Sequence, residues 1–206
     1  MKRILLTLMV FVAGLSVIAP DINAQTASGG SSFKERMDAW HQDMAEFRAR
    51  SEHNRELRAL ADSLAGVHAM AAVRNQDFVL EADQVTFKNG MTTFVNSNTN
   101  FISVKGDRAV VQISPSNFAS GPNGLGGVTV DGMITDRQVV TDKHGRITYN
   151  MNVMGLGINA QVQIYLTPGS SNASATIYPN FNSNTVWLEG TVVPYENSDV
   201  IEGSSL

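Results

Sequence analysis

Two hydrophobic periodicities divide the chain. Between residues 33 and 71, apolar side chains recur every three or four positions, which places them on one face of an α-helix. From Asp77 onward they recur every second position, which is typical of strands with one dry face and one wet face. The pattern predicts a helical segment over residues 33–74, followed by one antiparallel β domain over residues 75–206.

The helical segment carries two apolar stripes on either side of a polar stretch at residues 48–56. Ser32 and Glu35 have the spacing of a capping box, which marks the helix start. The step from Phe47 to Leu57 rotates the second stripe, so one long helix and a bent pair both fit. The first stripe consists of Phe33, Met37, Trp40, Met44 and Phe47, and the second of Leu57, Leu60, Leu64, Val67 and Ala71.

The first stripe has two interpretations. It would bind a partner or a second copy of the chain, or it would fold back onto its own domain or stay disordered. Its two heptads are fewer than the three or four that support a coiled coil. The second half of the segment is expected to be part of the domain.

The β domain is predicted to be a mainly β fold of eight or nine strands. Compact glycine-bearing segments at 104–108, 141–146 and 167–172 are typical of hairpin loops. A curled sheet, a sandwich and a partly closed barrel all fit this pattern. The predicted strands cover residues 77–87, 91–95, 101–104, 108–113, 128–134, 147–153, 160–166, 173–178 and 186–192.

The first residues resemble a secretory signal peptide. Lys2 and Arg3 precede an apolar run that ends at Ala19, and cleavage after Ala24 fits best. Residues 1–24 are therefore predicted as signal peptide and residues 25–32 as a flexible linker. Because the chain has no cysteine, bacterial lipid attachment is excluded. We expect a periplasmic or secreted protein with no transmembrane span after signal cleavage. A net charge of −4, without a basic cluster in the C-terminal part, argues against nucleic acid as a partner.

The stretch "GPNGLGGVTV" at residues 121–130 invites comparison with a phosphate-binding loop. A P-loop needs a lysine after its glycines and a helix behind it. Here the following residues alternate like a strand, and no lysine is near. We interpret the glycines as a turn or bulge between two strands.

Catalytic and metal chemistry finds little support in the sequence. His41, His53, His68 and His144 lack metal-ligand spacing, and the loop acids do not form a calcium-binding run. Glu81 and Asp83 share one predicted strand face, where solvated acids are far more common than a glycosidase pair. The sequence therefore predicts no catalytic site, no metal site and no cofactor.

An aromatic cluster is the strongest candidate for a ligand site. Tyr165, Tyr178 and Trp187 lie on the wet face of the last three predicted strands. If these strands are antiparallel neighbours, the rings fall in one patch that would suit a glycan or an apolar partner. In the alternative, the second half of the helical segment covers and buries the patch. Polar residues on the same face are Gln161, Gln163, Thr176, Glu189 and Thr191.

Three segments carry a family resemblance: "NSNTNFISV" at 96–104, "GPNGLGG" at 121–127 and "GTVVP" at 190–194. With their surroundings, roughly residues 58–206, they resemble a family of exported Bacteroidetes proteins known as domain of unknown function 4251. The resemblance implies an exported, mainly β protein and supplies no site residues. Asp62–Ser63–Leu64 also resembles an O-glycosylation acceptor of exported Bacteroidetes proteins.

The sequence thus predicts an exported, non-catalytic binding module for a glycan, lipid or protein ligand. The alternative is an envelope assembly protein that uses the first stripe at residues 33–47, either to bind an envelope partner or to form a homo-oligomer. A hydrolase is the least favoured function.

Overall fold

The computed structural model describes residues 32–114, 127–156, 159–180 and 184–205. The predicted signal peptide, linker residues 25–31 and glycine-loop residues 121–126 lie outside this part of the chain. The helix α1 spans Phe33–Asn75, and the strands are β1 (Asp77–Phe87), β2 (Thr92–Phe94), β3 (Phe101–Lys105), β4 (Arg108–Ile113), β5 (Val128–Thr141), β6 (Ile147–Gly155), β7 (Asn159–Leu166), β8 (Asn172–Pro179) and β9 (Val186–Pro194), with a 3₁₀ turn at Tyr195–Asn197.

The strands form one antiparallel sheet that closes on itself. Neighbours pair in chain order from β3 to β9, and β9 pairs back onto β1. The other edge of β1 is shared, because β3 pairs with residues 77–81 and β2 with residues 84–86. Since β2 and β3 occupy one strand position, the nine described strands make a barrel of eight positions. The predicted mainly β fold with an N-terminal helix is confirmed, and the barrel is closed.

Alternation along each strand fills the barrel with apolar side chains. On β6, Ile147, Tyr149, Met151 and Val153 are all buried, while the residues between them are partly exposed. The Tyr149 ring packs edge-to-face on Phe78, with the ring centroids 5.3 Å apart. The interior is therefore a packed core, and the polar positions of the strands lie on the outside.

The chain is divided into two compact units by the contacts between its own residues. Residues 49–75 of α1 belong to the unit that contains the barrel. Within this unit the helix packs through small residues. Gly66, Ala69, Ala72 and Val73 are its buried positions. Ala69, Ala72 and Val73 join the barrel core, and Gly66 lies against the β7–β8 turn at Gly169.

The second stripe does not make this contact. Leu57, Leu60, Leu64 and Val67 are each more than half exposed. They lie on the opposite side of the helix from Gly66 and Ala69, because 100° of rotation per residue separates the two sets by about half a turn. Gly66 lets the helix backbone approach the turn closely, and the large residues of the second stripe face outward.

The segment after β9 covers part of the barrel's outer surface. Val79, Phe101 and Val110 point outward from β1, β3 and β4 and are buried beneath Val200 and its neighbours. Gln112, which is fully buried, holds the segment in place. Its Nε2 donates to the carbonyl oxygens of Thr99 at 3.0 Å and Ile201 at 2.8 Å, and its Oε1 accepts from the amide of Gly203 at 2.8 Å. The sequence pattern did not predict this covering segment.

Candidate ligand-binding face

Five consecutive strands, β5 to β9, present a polar outer surface, which we call the amide–aromatic face. Its side chains are mostly amides, hydroxyls and aromatic rings. Its polar and aromatic residues are Gln138, Asn150, Asn152, Gln161, Gln163, Tyr165, Ser174, Thr176, Tyr178, Trp187 and Glu189, and the exposed apolar residues Val140 and Met154 lie on the same side of β5 and β6. Of these residues, only Glu189 carries a charge at neutral pH.

Strand register aligns the central residues in a row across the sheet. Gln138 lies opposite Asn150, and Asn150 lies opposite Gln163. The row continues from Gln163 to Thr176 and from Thr176 to Trp187. Adjacent strands are about 4.8 Å apart, so this row extends about 19 Å across the barrel wall. Every residue in the row is uncharged.

Two of the predicted aromatic residues lie close together on this face. Trp187 is directly opposite Thr176, and Tyr178 follows Thr176 by two positions. Tyr178 and Trp187 are therefore diagonal cross-strand neighbours, about 7–8 Å apart. Tyr178 is 45% exposed and Trp187 is 40% exposed. The alternative that the helix buries this patch is therefore wrong.

Tyr165 occupies a different part of the face. It lies opposite Ser174, one row away from Thr176 and two strands away from Trp187. It is also more buried than Tyr178. The structure thus brings Tyr178 and Trp187 together and leaves Tyr165 at the margin.

A shallow cleft of about 470 Å³ opens beside Tyr178. Asn152 and Asp136 both line it, and Nδ2 of Asn152 donates to Oδ2 of Asp136 at 2.9 Å. Asp136 has a positive φ of 51°, at an irregularity of β5 between Thr135 and Gln138. The cleft is lined by Thr135, Asp136, Asn152, Met154, Asn159, Ala160, Gln161, Tyr178, Pro179 and Asn180. Alternation could place Asn152 and Gln161 on the wet face, but the irregularity that positions Asp136 has no clear sequence signal.

The acids Glu81 and Asp83 lie in separate surroundings. An irregularity of β1 between Ala82 and Gln84 interrupts their shared face. The Glu81 carboxylate accepts a hydrogen bond of 2.6 Å from Oγ of Ser198 in the covering segment. Asp83 instead lines a second cleft, of about 350 Å³, together with Glu189.

The described groups with shifted pKa values lie away from the amide–aromatic face. The hydrogen bonds from Arg108 lower the pKa of Asp131, and backbone amides of Arg146 and His144 lower that of Asp142. Burial raises the pKa of Tyr149 in the core. Over the described ranges, no group of three or more His, Cys, Asp or Glu could hold a metal ion. The four histidines are all exposed.

The first stripe lies in the other unit, whose described residues are 32–48. The predicted capping box is formed: the Ser32 amide donates to the Glu35 carboxylate at 2.8 Å, and the Glu35 amide donates to the Ser32 hydroxyl at 3.3 Å. Exposed fractions are 73% for Phe33, 54% for Trp40 and 66% for Phe47. Met37 is also exposed and Met44 is partly exposed. Among the described residues, no helix has the length and apolarity needed to cross a membrane.

Part of the chain is similar to one family of proteins. Residues 62–192 match the family described as Domain of unknown function (DUF4251). No curated protein sequence matches the chain. The chain is similar to a DUF4251 family protein from Bacteroides eggerthii DSM 20697, whose crystal structure was determined at 1.95 Å resolution. The two sequences are 48% identical, and the two structures have a TM-score of 0.60. The similarity covers 68% of this chain and 95% of the Bacteroides eggerthii chain. The chain therefore belongs to the DUF4251 family.

Proposed function

We propose that the protein is an exported, non-catalytic binding module that holds its ligand on the amide–aromatic face. The observation that carries this proposal is the pair of half-exposed rings, Tyr178 and Trp187, beside an uncharged row of amides and hydroxyls. Aromatic residues that offer an apolar face and a polar edge are enriched at binding surfaces. A glycan, a lipid or a protein would each use such rings.

Export to the periplasm or beyond is supported by residues 1–24, which have the charge and apolarity of a signal peptide. The similarity to the Bacteroides eggerthii protein agrees with the resemblance of this chain to exported Bacteroidetes proteins. A module outside the cytoplasm would meet ligands at the cell envelope.

The test uses residues 25–206 with Trp40→Phe, which leaves Trp187 as the single tryptophan. Its fluorescence is titrated with neutral and acidic oligosaccharides, phospholipid vesicles and a peptide library. Saturable change with one class, weakened by Tyr178→Ala, supports the proposal. Phe94→Ala is the matched control, because Phe94 is an 80% exposed ring on β2, outside the face. Binding that Phe94→Ala weakens and Tyr178→Ala does not would place the ligand elsewhere and contradict the proposal.

A second candidate function is envelope assembly through the first stripe. Phe33, Trp40 and Phe47 are all more than half exposed, and contiguous apolar surfaces of this kind mark interaction sites. Under this function, Trp40→Glu and Phe47→Glu abolish self-association or capture of an envelope partner. Sedimentation of residues 25–206 at increasing concentration measures the first effect. Gln42→Glu is the control, since Gln42 is an exposed polar residue of the same helix. A protein that stays monomeric and captures no envelope partner would contradict this function.

A further inference from the structure

We infer that the ligand of the amide–aromatic face is an uncharged oligosaccharide that lies across strands β6 to β9. This inference rests on the proposed function and specifies its ligand class. It follows from the hydrogen-bonding groups of the face, the position of its rings, its charge and the packing of the barrel interior.

The central row matches the hydrogen-bonding properties of sugar hydroxyls. A sugar hydroxyl both donates and accepts, and so do the amide groups of Asn150 and Gln163 and the hydroxyl of Thr176. These three residues follow one another in register on adjacent strands. A second amide pair, Asn152 opposite Gln161, lies alongside. Asn150 and Gln163 are partly exposed, whereas Thr176 is buried, so a chain of sugars crossing the strands would meet amide partners on β6 and β7 and the Trp187 ring on β9.

The rings lie where the apolar faces of a sugar could stack on them. Trp187 ends the central row, and Tyr178 is its diagonal neighbour. Both rings are open to solvent on one side, with exposed fractions of 40% and 45%. Flat rings bordered by amides bind a surface that is apolar on its face and polar at its edge. Sugar rings have this character. The cleft between Tyr178 and Asn152 would receive one end of the chain.

The charge of the face disfavours acidic ligands. None of its residues is a lysine or arginine; Glu189 on the face and Asp136 in the cleft are carboxylates, and the exposed Arg146 lies just before β6, beyond Thr148. A phosphate, sulfate or uronate group would gain no cationic partner there and would be repelled by both carboxylates. A neutral ligand meets no such penalty.

The packed interior and the polar centre of the face argue against the other two ligand classes. A lipid chain needs an apolar cavity, but core side chains such as Met151, Val162 and Ile164 fill the barrel. A protein partner favours an apolar centre with a polar rim. On this face the centre consists of amides and a threonine, with the rings to one side.

The experiment is calorimetry of residues 25–206 with neutral hexasaccharides: β-1,4-glucan, β-1,4-mannan, β-1,4-xylan and α-1,4-glucan. A hexagalacturonate, phospholipid vesicles and a peptide library are tested in parallel. We expect saturable binding of at least one neutral hexasaccharide, weakened about tenfold by Trp187→Ala. Gln163→Ala weakens it less, Trp187→Phe restores part of it, and Phe94→Ala leaves it unchanged. Circular dichroism verifies that each variant is folded. Binding changes little between about 0.05 M and about 0.5 M salt, because no ion pair is involved.

The alternative outcomes separate this inference from the proposed function. Binding of the acidic sugar, the vesicles or a peptide, with loss in Trp187→Ala, overturns the neutral oligosaccharide and keeps the binding face. Binding that Trp187→Ala and Gln163→Ala leave unchanged overturns both. The absence of binding to every probe also overturns both.

Discussion

A β-carbon added to Gly66 of α1 would lie 2.7 Å from the backbone carbonyl carbon of Gly169 in the β7–β8 turn. The same atom would lie 2.7 Å from the backbone nitrogen of Ser170. Both contacts are with backbone atoms, which cannot rotate away as a side chain would. The helix therefore reaches the barrel at a point where only glycine fits.

Gly66→Ala is expected to destabilise the protein, although alanine is the better helix former by about 1 kcal/mol. The helix or the turn must shift to admit the methyl group, and overpacking of this kind costs about 1–3 kcal/mol. Urea denaturation followed by circular dichroism measures the change. Ser63→Ala, at an exposed position one turn earlier, is the control and should be neutral or slightly stabilising. A more stable Gly66→Ala protein would contradict the described packing.

Gln112→Leu is expected to release the C-terminal segment. The substitution keeps most of the side-chain volume but removes the bonds to Thr99, Ile201, Gly203 and the buried Thr129 hydroxyl. Each buried polar group that loses its partner costs about 1–3 kcal/mol, so we expect a loss of about 2–4 kcal/mol in unfolding free energy. Hydrogen exchange at the Gly203 amide reports the release directly. Gln42→Leu on the exposed helix surface should change stability by less than about 0.5 kcal/mol. Slow exchange at Gly203 in Gln112→Leu would show that another contact holds the segment.

The Arg108–Asp131 ion pair should make a small contribution to stability that depends on pH. Arg108 Nε donates to Oδ1 of Asp131 at 2.7 Å, and Nη2 donates to Oδ2 at 2.6 Å. These bonds lower the pKa of Asp131 in the folded protein, so the contribution is present above the unfolded pKa of about 3.9 and is lost as pH falls through the folded value. Because the Arg108 side chain is 57% exposed, we expect Asp131→Asn to cost only about 0.5–1 kcal/mol at pH 7.

The measurement compares unfolding of the wild type and Asp131→Asn across the acidic range. Their difference in unfolding free energy should shrink as pH falls from about 5 to about 2, as the carboxylate is protonated. A difference that stays constant over this range would mean that the ion pair does not contribute through its charge.

Trp187→Ala is expected to separate ligand binding from folding. The side chain is 40% exposed and lies on the outside of the barrel, so its loss opens no cavity in the packed core. We expect a loss of less than about 1.5 kcal/mol in unfolding free energy, below the 3–5 kcal/mol typical of a core aromatic. Phe78→Ala, in the packed core against Tyr149, is the contrasting variant. Equal losses in the two variants would assign Trp187 a structural role.

The strands were predictable because each shows its environment in its own sequence. Ile147, Tyr149 and Met151 alternate with Thr148 and Asn150, and the structure buries the first set as expected. Closure of the barrel was not predictable, because it depends on pairing between β1 and β9, about a hundred residues apart. Periodicity within a strand contains no information about such a distant partner.

The helix and the C-terminal segment show two further features that could not be predicted from the sequence. Large apolar residues at helical spacing indicate a buried face, but Leu60 and Leu64 are exposed, because Gly66 and Ala69 permit a closer approach. A glutamine in a strand is normally read as an outward residue on the wet face. Gln112 is instead buried by the C-terminal segment, a tertiary contact that no local pattern reports. At the candidate site, the position of Tyr178 and Trp187 on the wet face could be predicted from the sequence. The exposure of their side chains and the cleft at Asp136 are known only from the structure.

The central claim is that the outer face of β6 to β9 binds an uncharged oligosaccharide. Amide chemical-shift mapping of isotope-labelled residues 25–206, titrated with the neutral hexasaccharides, tests it most directly. The account predicts saturable shifts concentrated at Asn150, Gln163, Thr176, Tyr178 and Trp187, with the Trp187 side-chain N–H among the largest. Shifts confined to α1, to β2 near Phe94 or to the C-terminal segment, or no saturable shift with any of the hexasaccharides, would contradict it.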